Sequence, residues 1–308
     1  MTLKQLEAFY WAASCKSFSL AAGRLHLSTS SLSKRIGELE QSLGRELFDR
    51  SGHKATLTAA GEMLFSRAAA LLQEAEETRR AVGESHGLSG VCRIGAGELT
   101  ALSWLPTFIR DAQRKHPNLQ IESVVEGGSS RGAFQRSVTD GSLDCAVVAG
   151  ESWHSGLQAH HLGDAQFEWV IRRDMVRAGN SFGNQLTQEL LDSLGLISLP
   201  FGTATSQLVE NFLNAKGLVV KRRLSCNSSA VVANFLVSGL GIGILPRSWA
   251  QSMIERGKLR SLSSDSRLGT LPYYFLCRRS DRRPIVDFLL LTVRESFDPT
   301  LSSDWVAA

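Results

Sequence analysis

The 308-residue chain lacks several features whose absence narrows its function. No apolar run is long enough to cross a bilayer. The longest charge-free stretch, 224–246, is interrupted by Asn227, serines, Gly239, Gly241 and Gly243, which suits a buried helix followed by a strand. The N-terminal turn carries Lys4 and Glu7 with no apolar h-region, so no secretory signal is expected. The five cysteines (15, 92, 145, 226 and 277) are scattered, odd in number and without a C-x-x-C pair. That usage fits a reducing cytoplasm and gives no disulfide or metal signature. Cys145 lies in the apolar run 143–148 and reads as a small core residue. The H-E-x-x-H and Walker-loop motifs of metallohydrolases and nucleotidases are missing, and the seven histidines are dispersed. His160-His161 has no Asp or Cys at metal spacing and reads as a surface-loop pair. Gly95-Ala96-Gly97 lacks the third glycine of a dinucleotide fingerprint, since position 100 is Thr. No catalytic group, metal or cofactor is expected.

What is present is an ordinary globular composition, 43% hydrophobic and 21% charged, with a net charge of +4. The length implies two or three domains. Residues 1–54 hold eight Lys/Arg against five Asp/Glu, a modest basic excess that permits an anionic partner.

Residues 17–44 carry the sharpest signal. Ser17 caps an expected helix through Phe18, Leu20, Ala21, Ala22 and Leu25; Ser28 caps a second that stops at Gly44. In the second helix Leu32, Ile36, Leu39 and Leu43 fall on one stripe. Near its start Thr29, Ser30, Ser33, Lys34 and Arg35 offer short hydroxyls and cations beside a helix N-terminus. Such groups bond base edges and phosphates in a major groove, so 29–43 reads as the recognition helix of a helix-turn-helix. Beyond Gly44, two short extended pieces around Ser51-Gly52 form an expected wing tipped with Arg50, His53 and Lys54, suited to the adjacent minor groove. From 59 to about 84 the pattern is helical. Leu64, Leu71 and Thr78 repeat every seven residues, with Ala68, Ala75 and Val82 four behind, a seam for close pairing with a second copy. Residues 85–90 read as a hinge.

Beyond Gly90 the period alternates. Strands are expected at 91–94, 119–125, 143–148, 167–171, 194–199, 219–224, 242–245 and 273–277, and helices at 99–115, 131–139, 206–216, 230–237 and 284–295. This predicts a doubly wound α/β architecture with a ligand at the carboxyl ends of the strands.

The residues quoted so far resemble the LysR-type transcriptional regulators over nearly the whole chain. The shared signature runs through Leu6, Phe9, Ser17-Phe18, Ala21-Ala22, Leu25, Leu27-Ser28, Ser33, Ile36, Leu39-Glu40, Leu43-Gly44, Leu47-Phe48-Asp49-Arg50 and Leu57-Thr58-Ala59-Ala60-Gly61. It continues in Leu105-Pro106, His116-Pro117, Gly141-Ser142-Leu143-Asp144 and 237–246. The resemblance implies a winged helix-turn-helix (1–58), a linker and dimerisation helix with hinge (59–90), and an effector-binding domain (91–308). That domain would be two-lobed, like a periplasmic binding protein, with lobe one at 91–163 and 268–303 and lobe two at 164–267. A small anionic effector, a carboxylate or sulfonate, would sit between the lobes and alter how a homotetramer holds double-stranded promoter DNA. Carried over by position, the effector residues would be Thr100, Gly128, Ser129, Thr203, Thr205, Ser206 and Asn227. The sequence does not assign Trp104, Trp153, His154 or Phe201 to the pocket. Two positions depart from the family: Thr29 stands where Gln is common, and His53 where a second wing Arg is common. A thiol redox sensor on the same scaffold and an α/β enzyme remain as alternatives.

Overall fold

The computed structural model describes residues 1–15, 17–51, 55–82, 88–127, 132–150, 155–175, 185–263 and 268–303. The N-terminal domain packs α1 (Leu3–Ser14), α2 (Phe18–Arg24) and α3 (Thr29–Leu43) around one apolar cluster. The termini are set by local chemistry. Thr2 and Gln5 form a capping box on α1, while Ser17 and Ser28 accept from the backbones of Leu20 and Ser31. Gly44 ends α3 at φ 64°, where a side chain would be strained. Leu32, Ile36 and Leu39 point inward and are fully buried, whereas Leu43 stays exposed beyond the stripe. A two-residue ladder, β1 (Phe48–Asp49) with β2 (Thr56–Leu57), forms the base of the expected wing. Phe48 meets Phe9 and Phe18 edge-on at 5.6 and 5.1 Å, which fixes that hairpin to the helices.

Helix α4 (Ala59–Val82) starts beside the wing, and Gly61 lets it approach; a Cβ there would stand 2.2 Å from the Leu47 carbonyl oxygen. Phe65 stacks on Tyr10 at 5.4 Å, and Ala68 is fully buried in the same cluster. Leu71, one turn further on, is exposed.

The remainder alternates as expected, with differences. In order come β3 (Gly90–Gly97), α5 (Glu98–Leu102), α6 (Leu105–Lys115), β4 (Leu119–Glu126), α7 (Ala133–Thr139), β5 (Cys145–Ala149) and β6 (Leu157–Arg172). Then follow α8 (Gln188–Leu194), β7 (Leu196–Ser198), α9 (Ala204–Lys216), β8 (Arg223–Ser225), α10 (Ser229–Val237), β9 (Gly243–Pro246), α11 (Arg247–Glu255), β10 (Leu259–Ser261), β11 (Thr270–Arg278) and α12 (Pro284–Ser296). The expected helix 99–115 is two helices. Pro106, which has no N–H and disfavours a helical residue before it, sits in the first turn of the second.

One seven-stranded sheet runs β10–β6–β11–β5–β3–β4, with β9 also on β6. β3 is parallel to β4 and β5, but β11 is antiparallel to both β5 and β6. The sixteen-residue β6 is the surprise. Its first half pairs with β11 beside β5, and its second half pairs with β9 and β10. β6 and β11 are therefore the two crossings between a first half, built on β3, β4 and β5, and a second half that adds the short parallel pair β7–β8. The half-sheet of β5 is covered on both faces. Cys145 and Val147 enter the large core cluster, and Ala146 and Val148 enter a second one with Phe134, Val138 and Leu276. Burial on both faces is why the run 143–148 reads as continuously apolar.

Candidate DNA-facing surface and ligand cleft

The N-terminal face of α3 is built from Ser28 upward. Its Oγ accepts from the Ser31 backbone N–H at 3.1 Å and lies 2.9 and 2.8 Å from the Ser30 and Ser31 hydroxyls. Ser28, Thr29, Ser30 and Lys34 are exposed, and Ser33 and Arg35 are partly so. The cap thus spends one serine on the helix and leaves the neighbouring hydroxyls facing solvent. Arg50, at the wing base, is exposed, bridges to Glu40 at 3.1 Å and lies near the Phe18 ring. Glu40 also accepts from the Leu47 and Phe48 backbones, so this carboxylate braces α3 against the wing. His53 and Lys54 lie outside the described residues.

The second feature is a cleft of about 480 Å³ where the two halves face each other. The first half contributes the ends of β3, β4 and β5 with the starts of α5 and α7; the second contributes the starts of α9 and α10, and β11 closes the back. The carboxyl ends of the strands thus meet helix N-termini, as an open α/β architecture dictates. Thr203 and Thr205 line this cleft. Thr203 caps α9 by accepting from the Ser206 N–H at 3.0 Å, and its own hydroxyl donates to the Pro200 carbonyl. Ser206 is buried and faces a small adjoining pocket, its hydroxyl donating to the Thr203 carbonyl at 2.9 Å.

Other expected positions fall elsewhere. α5 begins at Glu98, which puts Glu98 on the cleft, while Thr100 turns into the core and is not among the cleft walls. The Thr100 hydroxyl is fully buried and has no hydrogen-bond partner. Asn227 is exposed off the cleft, where its carbonyl approaches Gly127. Gly128, Ser129, Trp153 and His154 lie outside the described residues. Trp104 is buried against Phe297, and Phe201 is exposed beneath the Arg223 guanidinium at 4.3 Å; neither lines the cleft.

Sequence reasoning missed the acidic contribution. Glu98 Oε1 accepts from the Ser228 hydroxyl at 2.7 Å, and its Oε2 from the Ser229 backbone N–H. This clasp joins the first half to the N-terminus of α10 in the second. Glu126, at the end of β4, also lines the cleft, and its Oε2 is shut off from solvent with no hydrogen-bond partner. Among the described lining residues these two are the charged ones. No sequence period marks them, because each is a single polar residue at a strand or helix end.

His160 and His161 are on strand β6 and not on a loop, because the whole segment pairs with β11. His161 lies 3.3 Å from Asp164. Cys15, Cys92, Cys145 and Cys277 are buried. Burial pushes the thiols of Cys15 and Cys145 up and that of Cys277 to about 11, so these three are held protonated and are poor nucleophiles.

A winged helix-turn-helix joined by one helix to a cleft between two α/β halves defines a ligand-responsive DNA-binding regulator. Comparison gives the family. The profile described as "Bacterial regulatory helix-turn-helix protein, lysR family" matches residues 3–62, and that described as "LysR substrate binding domain" matches residues 85–298. The chain belongs to the LysR family and is a DNA-binding transcriptional regulator with an effector-binding domain. It is 28% identical over 301 residues to the HTH-type transcriptional regulator GltR of Bacillus subtilis (strain 168), covering 96% of this chain and 97% of GltR. In fold it is similar to ArgP from Mycobacterium tuberculosis (TM-score 0.63, 22% identity, 95% and 96% of the two chains covered). It is likewise similar to full-length LysG from Corynebacterium glutamicum with bound effector Arg (TM-score 0.59, 20% identity, 96% and 98% covered).

Proposed function

We propose that the α3 N-terminus reads promoter DNA, with Thr29, Ser30, Ser33 and Lys34 in the major groove and Arg50, His53 and Lys54 at the flanking minor groove. The observation that carries this is the exposure of those α3 residues on a helix whose opposite stripe is fully buried. Ser28, Lys34 and Arg35 serve at the phosphates beside it. The domain division is 1–58, 59–90 and 91–308.

The effector is a small molecule held in the cleft by a carboxylate or sulfonate group. Support comes from the start of α9: Thr203 caps Ser206, which leaves the N–H groups of Ala204 and Thr205 at a cleft-lining helix N-terminus. LysG, of the same fold, has bound effector Arg. Ligand binding draws the halves together and changes the spacing of two DNA-binding domains. Those domains are paired through α4, where exposed Leu71 marks a face for a second copy, and the pairs assemble into a homotetramer. No helix among the described residues is long and apolar enough to cross a membrane, in keeping with a cytoplasmic protein.

Fluorescence anisotropy of the full chain on its own upstream intergenic DNA, titrated with salt, tests the reading. Affinity that falls steeply with salt and exceeds that for a scrambled duplex is the expected result. No affinity even at low salt overturns it.

A further inference from the structure

The cleft presents two carboxylates from the same half of the domain, and they are not equivalent. Glu98 is satisfied: both its oxygens accept donors from Ser228 and Ser229, and it fills the anion position at the start of α10. A ligand anion has no place there. Glu126 is not satisfied. Its Oε2 is shut off from water and has no hydrogen-bond partner, although the residue stands on a wall of a 480 Å³ cleft. A buried carboxylate oxygen without a donor is costly, and native structures supply the missing donor from a ligand or ion where the protein does not. Glu98 lies close to the same strand end, since a Cβ on Gly127 would be 3.9 Å from Glu98 Oε2. That wall therefore favours positive charge, and a donor that enters the cleft pairs with the Glu126 carboxylate when the side chain turns toward it, which supplies the partner that Oε2 lacks.

We infer that the effector carries a protonated nitrogen, ammonium or guanidinium, which donates to Glu126. The inference rests on the cleft reading above, in which the start of α9 holds the ligand's carboxylate. Together the two groups define an amino-acid-type zwitterion that spans the cleft, nitrogen on the β4 end in one half and carboxylate on α9 in the other. Such a molecule rewards closure of the halves, because neither wall alone meets both charges. The lining between them is apolar, with Leu99, Val147, Leu208 and Leu271, which suits an aliphatic middle.

The test is calorimetric titration of the full chain with the twenty protein amino acids and with des-amino carboxylates of the same chain length, on the unaltered protein and on Glu126→Gln. At least one amino acid is expected to bind, with its des-amino partner at least about tenfold weaker, the equivalent of one charge-assisted hydrogen bond. Glu126→Gln should remove that difference. Its ligand-free melting temperature should match that of the unaltered chain, because the side chain keeps its shape and Oε2 makes no hydrogen bond to lose, and this also reports that the variant folds. A des-amino carboxylate that binds as tightly as any amino acid, or a difference that survives Glu126→Gln, overturns the inference and leaves a plain anion cleft standing. If neither set binds, the inference and the cleft reading beneath it both fall.

Discussion

Arg24 and Asp144 form a buried ion pair between the DNA-binding domain and the effector-binding domain. Arg24 ends α2, and its other terminal nitrogen donates to the Gly141 carbonyl at 2.8 Å while its guanidinium lies 3.8 Å over the Trp11 ring. Asp144 opens β5. It also accepts from Arg283 and, through Oδ2, from the Arg93 backbone N–H at 2.8 Å. Arg283 in turn bridges Asp281 at 2.6 Å, and Asp281 bridges Arg278 at 2.7 Å. The stretch Gly141-Ser142-Leu143-Asp144 is thus a docking seat for the backs of α1 and α2. Because α3 stays outside it, docking fixes the orientation of the recognition helix without covering it.

Unequal losses are expected from the two ends of this pair. Asp144→Ala leaves Arg24 without a carboxylate and Arg283 with Asp281 alone, and should cost about 3–5 kcal/mol, the range for breaking a buried pair from one side. Arg24→Ala leaves Asp144 with Arg283 and the Arg93 N–H and should cost less. Urea unfolding of both variants decides this, and a larger loss for Arg24→Ala would show that Arg283 does not hold Asp144 by itself.

Acid should loosen the same seat. Burial pushes the Asp144 carboxyl up, but the guanidiniums of Arg283 and Arg24 overcome it and hold the group well below its ordinary value of 3.8. Asp281 is depressed in the same way by Arg283 and Arg278 against its own burial. Depressed carboxylates stabilise the fold fully above their unfolded value, and that stability is lost as pH falls from about 4 through the folded values. Melting temperature should therefore be insensitive to these groups from pH 5 to 7 and drop below about 4. In Asp144→Asn that acid drop should be shallower.

Lys34→Ala and Arg50→Ala should each weaken binding about equally on specific and scrambled duplexes and reduce the salt slope by about 1. Ser33→Ala should instead change preference at one base position of each half-site. Anisotropy titrations at several salt concentrations separate the two behaviours, and an unchanged slope in Lys34→Ala would remove it from the phosphate contacts.

Gly127 lets the two halves approach, since a Cβ there would stand 2.4 Å from the Asn227 carbonyl oxygen, a backbone atom that cannot swing away. Gly127→Ala should hold the cleft open, weaken the ligand-induced rise in melting temperature and leave ligand-free DNA affinity unchanged. Small-angle scattering should show a slightly larger radius for the variant.

Thr100→Val removes a buried hydroxyl that has no partner and keeps the shape of the side chain. It should raise stability by about 1 kcal/mol, the low end for an unsatisfied buried polar group. A lower melting temperature would show that the hydroxyl is in use.

By itself the sequence determined whatever depends on near neighbours. Caps at Ser17 and Ser28, the stop at Gly44 and the stripe Leu32–Ile36–Leu39 are local, so the helix-turn-helix was legible from residues a turn or two apart. The alternating strands and helices after Gly90 were legible for the same reason, and so was the place of a cleft at strand ends. Tertiary structure decided the rest. The polar first part of β6 (His160, His161, Gly163, Asp164) gives no apolar alternation and becomes a strand only because β11 supplies its hydrogen bonds. Thr100 and Glu98 are two residues apart, and only the turn at which α5 begins sends one to the core and the other to the cleft. Arg24 and Asp144 are 120 positions apart, and their pairing appears only when α2 meets the head of β5. Charge pairs of that separation leave no period in the chain, because the energy that joins them depends on a shared buried space that local sequence does not encode.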